Sequence, residues 1–237
     1  LKKYIMIQIY LNVLHLLNIY QNILIFRYLP LVDLHGEQIG YSEVWLNHTN
    51  DYAHKHLLKL CDKMVECANL FKNTNDLYLE IGSGSANFTS TLANLNPNNN
   101  YLGVEIRFKR LIQAAKKAEK LSLKNLVFLK KMVNRLTEFI GENEISGMYI
   151  NFPDPWEGEE KKRVISNALF SKLDIILRTN GKLFFKTDHD QYYEDVLELV
   201  KKLDNYEIIY HTNDLHNSEK ASENIKTEFE QMFLSKH

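Results

Sequence analysis

Three features of the sequence predict an α/β fold built on a doubly wound, mostly parallel sheet. From residue 76 onward short apolar strands alternate with amphipathic helices, the pattern of a parallel sheet covered on both faces. The first of these strands runs into a small-residue turn, EIGSGS (80–85), whose glycines permit tight turning and close approach of backbone N–H groups to a ligand. Glu80, Glu105, Asp154 and Asp188 each fall at the C-terminal end of a strand. Open parallel sheets bind ligands at that edge, near the point where strand order reverses. Four carboxylates in register suggest one cleft.

The elements follow in order. Residues 53–71 place Leu57, Leu60, Met64, Ala68 and Phe71 at helical spacing, and the breaker KNTN ends that helix. DLYLEIGSGSANF reads as a strand, a turn and a helix, and NYLGVEI (100–106) as a second strand followed by a basic helix to about Leu121. NLVFLK (125–130) is the third strand and ISGMYINF (145–152) the fourth. A helix over 164–178 buries Ile165, Leu169, Leu173 and Ile176 and stops at Thr179-Asn180-Gly181, a C-cap signal. GKLFFKT is a fifth strand, 189–203 a helix and YEIIYHT a sixth strand. The first thirty residues are apolar but broken by Asn12, His15, Asn18, Gln21 and Asn22. They match neither a membrane span of about 20 apolar residues nor a secretory signal. An amphipathic helix or irregular extension is expected there. The division is therefore an extension over 1–40 and a main domain over 41–237, with 41–75 a helical lead-in to a 76–237 core.

Composition excludes some functions and leaves others open. A net charge of -1 rules out a uniformly basic nucleic-acid binder. Yet Arg107 to Arg135 carries ten Lys or Arg against one acid, Glu119. Such segregation can attract a polyanion, although charge alone reads first as a solvated helix face. Cys61 and Cys67 face different ways on a helix, so neither a disulfide nor a metal pair is expected, which fits a cytoplasmic location. The nine histidines show no strong ligand spacing, and no metal is expected.

Two motifs carry the chemistry. EIGSGS lacks the third glycine of a dinucleotide fingerprint, since Asn87 stands there. Glu105 ends the second strand, where a carboxylate can accept hydrogen bonds from ribose hydroxyls; its alternative role is an ion pair with Arg107 or Lys109. A glycine turn of this kind with a second-strand acid suits S-adenosylmethionine better than NAD. In NFPDPW, Pro153 and Pro155 fix φ on both sides of Asp154 and restrict the residue before each proline. That aims one carboxylate in a narrow set of directions; the alternative is a purely structural turn.

EIGSGS, GVEI, NFPDPW with a following KKR, KTDHDQYY, and DLHNS leading to TEFE resemble the tRNA (guanine-N7)-methyltransferases, in order and spacing, over about 76–233. FPDPW and the DLHNS–TEFE pair are the specific parts. The resemblance implies a Rossmann-like class I methyltransferase sheet. It implies that Glu80, Gly82, Gly84, Glu105, Met132 and Asp154 line the S-adenosylmethionine site, with Asp154 also catalytic. It implies that Asp188, Thr227, Glu228, Phe229 and Glu230 meet the guanosine of a tRNA. Guanine N7 bears a lone pair and no proton, so its methylation needs in-line placement rather than a general base. Fixed carboxylates such as Asp154 and Asp188 suit the positive charge that reaches the purine. Thr227-x-x-Glu230 also reads as a helix capping box.

The sequence departs from the family in three places. After Trp156 it carries Glu157-Gly158-Glu159-Glu160 in place of a longer basic run, which leaves Lys161 as the nearest substitute for the usual substrate lysine. Met132 stands where an acidic residue usually meets the adenine, with Asn134 as its replacement. The sequence stops at His237, so either it is cut short or the sheet lacks its last strand. Two other readings stay open: an amino-group methyltransferase acting on another nucleic-acid base, and a catalytically weak RNA-binding homologue. A monomer or homodimer without membrane attachment is expected.

Overall fold

The computed structural model describes the backbone of residues 25–27 and all of residues 70–235. Its sheet has the order β1-β4-β3-β2-β5-β6, from β1 (Ile25–Arg27), β2 (Leu77–Ile81), β3 (Asn100–Val104), β4 (Leu126–Leu129), β5 (Ile145–Asn151) and β6 (Leu177–Lys186). The five strands β2 to β6 run parallel, and β1 pairs antiparallel with β4. The chain leaves β2 outward through β3 to β4 and then returns to the other side of β2 as β5. Strand order therefore reverses between β2 and β5, which fixes the crevice at their C-terminal ends.

Helices α1 (Asn87–Leu95), α2 (Phe108–Lys120), α3 (Asn167–Ile176), α4 (Asp190–Val200) and α5 (Glu228–Leu234) complete the described residues, with short 3-10 turns between them. Alternation along β3 sends Leu102 and Val104 to one face and Tyr101 to the other. The first face packs against α3 and α4 through Leu169, Phe170, Leu173, Ile176, Tyr192 and Val196. The second packs against α1 and α2 through Phe88, Leu92, Leu111, Ala114 and Ala118. Farther along that second face an aromatic row crosses four strands: Tyr101 and Tyr78 (5.7 Å between ring centroids), Tyr78 and Tyr149 (6.2 Å), Tyr149 and Phe184 (4.5 Å). This is the two-layered core that the strand–helix alternation predicts.

Three expectations change. Ile25–Arg27 forms a strand, where a helix or irregular extension was expected; the rest of the 1–40 extension and nearly all of the 53–71 helix lie outside the described residues. The YEIIYHT segment (206–212) is not a strand. Its Tyr206 ring packs on Phe170 at 4.8 Å and its hydroxyl donates to Asp174 Oδ1 at 2.9 Å, both on α3. Among the described residues no strand flanks the outer side of β6, so β-forming residues such as Ile208 and Ile209 find no ladder partner. The third change is at the end of α3: its helix stops at Ile176, and the left-handed residue is Asn180 (φ 64°), not Gly181.

Gly103 is required by packing. A Cβ there would lie 2.7 Å from Cδ1 of Phe128, a fully buried ring, and 2.9 Å from Ser83 Oγ in the glycine turn. Overpacking of this kind typically costs about 1–3 kcal/mol. Gly103→Ala is therefore expected to lower urea-unfolding stability by about that amount; an unchanged midpoint would show that the turn and the Phe128 ring yield freely.

Candidate functional site

The glycine turn is tied down by the neighbouring strand. Gly82 (φ 72°) and Gly84 (φ 55°) both use left-handed backbone. The N–H groups of Gly82 and Ser83 donate to the Val104 carbonyl at 2.8 and 3.1 Å. The Gly84 N–H donates to Glu105 Oε2 at 3.0 Å. Glu105 Oε1 accepts from the Ile106 and Arg107 N–H groups, each at 2.8 Å, at the start of α2. Three amides thus hold a buried carboxylate that offers about four acceptor sites, leaving one for a visitor. The alternative role, an ion pair, is also present, with Arg107 and not Lys109: Arg107 Nε lies 3.6 Å from Oε1. A Cβ added to Gly82 or Gly84 would meet nothing closer than 4.0 Å. An open cradle beside a fixed carboxylate can take a ligand that offers hydroxyl donors, as the ribose of an adenosyl group does.

Beneath the turn, Glu80 is 3% exposed and accepts from the Thr89 hydroxyl and from Asn151 Nδ2, the latter at 2.9 Å. Burial pushes its pKa up to about 7, against the two hydrogen bonds and the nearby Lys186 charge. Register explains the meeting: Glu80 lies level with Tyr149, two residues before Asn151, and Asn151 lies level with Lys186. Ser83 Oγ is buried at the same turn with no hydrogen-bond partner among the described residues.

The FPDPW bracket begins one residue beyond β5. Phe152 donates its N–H to the Lys186 carbonyl at 2.8 Å, which extends the β5–β6 ladder by one step. Phe152 (φ 50°) and Trp156 (φ 47°) are both left-handed, a conformation that costs non-glycine residues roughly 1–2 kcal/mol each. Arg163, 8% exposed, holds the far side. Its Nε donates to the Pro155 carbonyl at 2.6 Å and its Nη1 to Asp195 Oδ2 at 2.6 Å, and its guanidinium lies 4.6 Å from the Tyr192 ring centroid. Asp154, in the middle, is exposed and makes no hydrogen bond or ion pair with any described residue.

The acidic loop and the KKR triplet spend most of their charges on one another. Glu157 pairs with His189 (2.8 Å), Glu159 with Lys162 (2.5 Å), and Glu160 accepts from the Gly158 N–H (2.8 Å). Arg163 is buried in the clamp just described, and Lys162 lies 4.9 Å over the Trp156 ring. Of the triplet, Lys161 alone has no partner among the described residues.

TEFE closes the site from the far end of the sequence. Thr227 and Glu230 form the capping box at the start of α5. Glu230, 4% exposed, also accepts from Lys186 Nζ (3.2 Å), His216 Nε2 (3.1 Å) and Asn224 Nδ2 (3.0 Å). Burial disfavours its charge, but the Thr227 N–H, Asn224, His216 and Lys186 outweigh that and hold its pKa down to about 2. Glu228 accepts from Ser85 Oγ at 2.7 Å and from Arg110 at 3.2 Å, and the Phe229 ring lies 4.9 Å from Phe152. One short helix is thereby docked on the glycine turn, the start of α2, the end of β6 and the FPDPW bracket.

Of the residues expected from sequence, Glu80, Gly82, Gly84, Glu105, Thr227, Glu228, Phe229 and Glu230 share this connected cluster. Asp154 and Asp188 sit exposed just past β5 and β6. Met132, 57% exposed, opens the turn after β4, and no hydrogen bond joins it or Lys161 to the cluster. The sequence reading missed Lys186, Asn151, His216 and Arg163. Lys186 opens KTDHD and His216 lies inside DLHNS, so both stood in motifs already singled out. Among the described residues no group of three or more His, Cys, Asp or Glu is placed to hold a metal ion.

Comparison with known proteins identifies a family and several relatives. The sequence model of a family described as "Putative methyltransferase" matches residues 74–237. A bifunctional glycosyltransferase/methyltransferase of Fusobacterium nucleatum is 59% identical over 176 residues, covering 74% of this chain. This chain spans only 28% of that relative's length. A tRNA (guanine-N(7)-)-methyltransferase of Clostridium botulinum is 36% identical over 171 residues, 69% of this chain and 78% of the relative. A solved structure of an antibiotic-related methyltransferase overlays with a TM-score of 0.45 at 18% identity, covering 57% of this chain and 73% of that one.

The two buried acids give opposite pH limbs. Glu230 contributes stability that is present above its ordinary 4.5 and is lost as pH falls towards 2. Glu80 works the other way: between 4.5 and about 7 the folded state holds a proton that the unfolded chain has lost, so stability falls as pH rises. At about 1.4 kcal/mol per pKa unit the loss is at most about 3 kcal/mol. Gln can keep both partners, since its amide donates to Thr89 and its carbonyl accepts from Asn151. Glu80→Gln should match the wild type at pH 5 and exceed it by about 1–3 kcal/mol at pH 8 in urea unfolding. Parallel pH curves for the two proteins would show that Glu80 ionises normally.

Proposed function

Because the chain belongs to the tRNA (guanine-N7)-methyltransferase family, we propose that it transfers a methyl group from S-adenosylmethionine to N7 of a guanosine in the variable loop of tRNA, giving 7-methylguanosine. The observation that carries this reading is Asp154: an exposed carboxylate without a partner among the described residues, held in a bracket clamped by Arg163 and touching the TEFE helix through Phe152 and Phe229. A carboxylate that is rigid, unneutralised and flanked by aromatic rings is suited to a purine gaining positive charge.

In this reading Gly82, Gly84 and Glu105 hold the adenosyl portion, with Glu80 supporting the turn from below and Met132 against the adenine. Bound there, S-adenosylmethionine supplies an electrophilic methyl group on its sulfonium. Guanine N7 attacks with its own lone pair, so no residue needs to remove a proton. Asp154 and Asp188 favour the charge that develops on the purine, and Phe229 at the start of α5 bounds the base. Thr227 and Glu230 keep that helix in place, and Lys161 meets the RNA from the loop. N7 lies on the major-groove edge, which is inaccessible in an A-form helix, so the target is an unpaired base. The protein acts in the cytoplasm on tRNA as a monomer or homodimer and uses no metal.

The test uses methyl-labelled S-adenosylmethionine with a tRNA transcript that lacks the modification, followed by nucleoside mapping. Label on guanine N7 is expected. Label on an exocyclic amine indicates amino-group methylation instead, and RNA binding without transfer indicates a weak homologue. Asp154→Asn is expected to lower kcat at least about 100-fold while the thermal transition moves by less than about 2 °C, less than 1 kcal/mol for a domain of this size. Loss of folding would make Asp154 structural.

A further inference from the structure

We propose that the exposed face of α2, rather than the loop after Trp156 with its single free Lys161, is the main surface on which this protein docks the RNA phosphate backbone. The inference rests on RNA being the substrate. It starts from a conflict within the chain: the loop beside the site is the natural place for phosphate contacts, yet its charges are already used. Glu157 and His189, Glu159 and Lys162, and Glu160 with the Gly158 N–H satisfy one another, and Arg163 is buried. A single free lysine, Lys161, remains there among the described residues.

On α2 the situation is reversed. Leu111, Ala114 and Ala118 form its buried face. Lys109, Gln113, Lys116 and Lys120 recur at intervals of four, three and four, so they form one stripe on the opposite side. All four are exposed, and Lys124, past the end of the helix, is exposed as well. None of Lys109, Lys116, Lys120 and Lys124 makes a hydrogen bond or ion pair with a described residue. Glu119, the one acid of the helix, lies about a quarter turn off the stripe. The basic residues that do have local roles lie elsewhere: Lys117 bonds Asn87, Arg110 bonds Glu228, and Lys131 is buried over the Phe139 ring.

Position adds direction. Arg107, the residue that precedes α2, flanks Glu105, and Arg110 in its first turn reaches Glu228 of the TEFE helix. The stripe therefore begins at the cleft and runs about 16 Å away from it, at 1.5 Å per residue from Lys109 to Lys120. A polyanion lying along it would have one end at the base-binding site. Because the whole chain carries a net charge of -1, this stripe is a local feature with a definite orientation, which suits docking in one register rather than general attraction.

The experiment measures binding of an unmodified tRNA transcript by fluorescence polarisation between 50 and 200 mM KCl. Three proteins are compared with wild type: K109Q/K116Q/K120Q, the same triple with Arg, and K162Q from the loop. The Gln triple should bind at least about tenfold more weakly at 100 mM KCl, and its plot of log K against log salt should be shallower by about 2, as loss of three phosphate contacts requires. The Arg triple and K162Q should stay within about threefold of wild type, as contacts that keep their charge or never met phosphate do. S-adenosylmethionine affinity, read by calorimetry, should be unchanged in the Gln triple, which separates docking from folding. Wild-type affinity in the Gln triple, or an equal loss in K162Q, overturns the proposal. If wild type binds tRNA but transfers no methyl group to it, the functional reading fails, and the salt slopes still decide the docking surface. If wild type does not bind tRNA at all, both fail.

Discussion

The ammonium of Lys186 is the contact on which the site depends. It ends β6, donates to Glu230, to the Ile225 carbonyl and to Asn224 Oδ1, and lies near enough to Glu80 to favour that acid's charge. Burial lowers its pKa, and the Glu230 and Glu80 carboxylates oppose that effect. A buried charge is tolerated only when paired and hydrogen-bonded, and here the pairing spans 44 residues of sequence. Through it the end of the parallel sheet fixes the start of α5, and α5 in turn reaches the glycine turn, α2 and the FPDPW bracket. Five segments distant in sequence become one wall.

The sheet was largely legible because its signals are local and periodic. Five of the predicted strands and all five helices of the core appear within a few residues of their expected positions. Where the sequence misled, the deciding interaction was tertiary. YEIIYHT has every local mark of a strand, yet a strand exists only with a partner, and Tyr206 finds α3 instead. At the site, carboxylates at strand ends were readable because the parallel topology forces those ends together. Lys186 and His216 were not read as functional because their significance lies in Glu230, which only folding brings near them. Arg163 was missed for the same reason: nothing local marks one member of a basic triplet until Pro155 and Asp195 close around it.

The loop after Trp156 shows how local pairing can change the meaning of composition. Read as a string, EGEEKKR combines repulsion and attraction towards a polyanion. In the fold most of those charges are spent on one another, and the loop becomes a stiff, nearly neutral rim. Its buried member, Arg163, serves the bracket rather than a ligand. Charge available to a partner has to be sought where nothing local consumes it, and that is the outer face of α2.

Glu105 and Asp154 are both carboxylates at strand ends, yet they differ in what their own backbone offers them. Around Glu105 three amide hydrogens are aimed at the side chain, and they occupy most of its lone pairs. On either side of Asp154 stand prolines, which have no amide hydrogen to give. Of the two residues that follow Asp154 only Trp156 carries an amide hydrogen, and it makes no bond to this carboxylate, whereas both residues after Glu105 donate to theirs. Besides aiming Asp154, the two rings withhold the donors that would compete with a visitor, so its lone pairs stay uncommitted until something from outside arrives to use them.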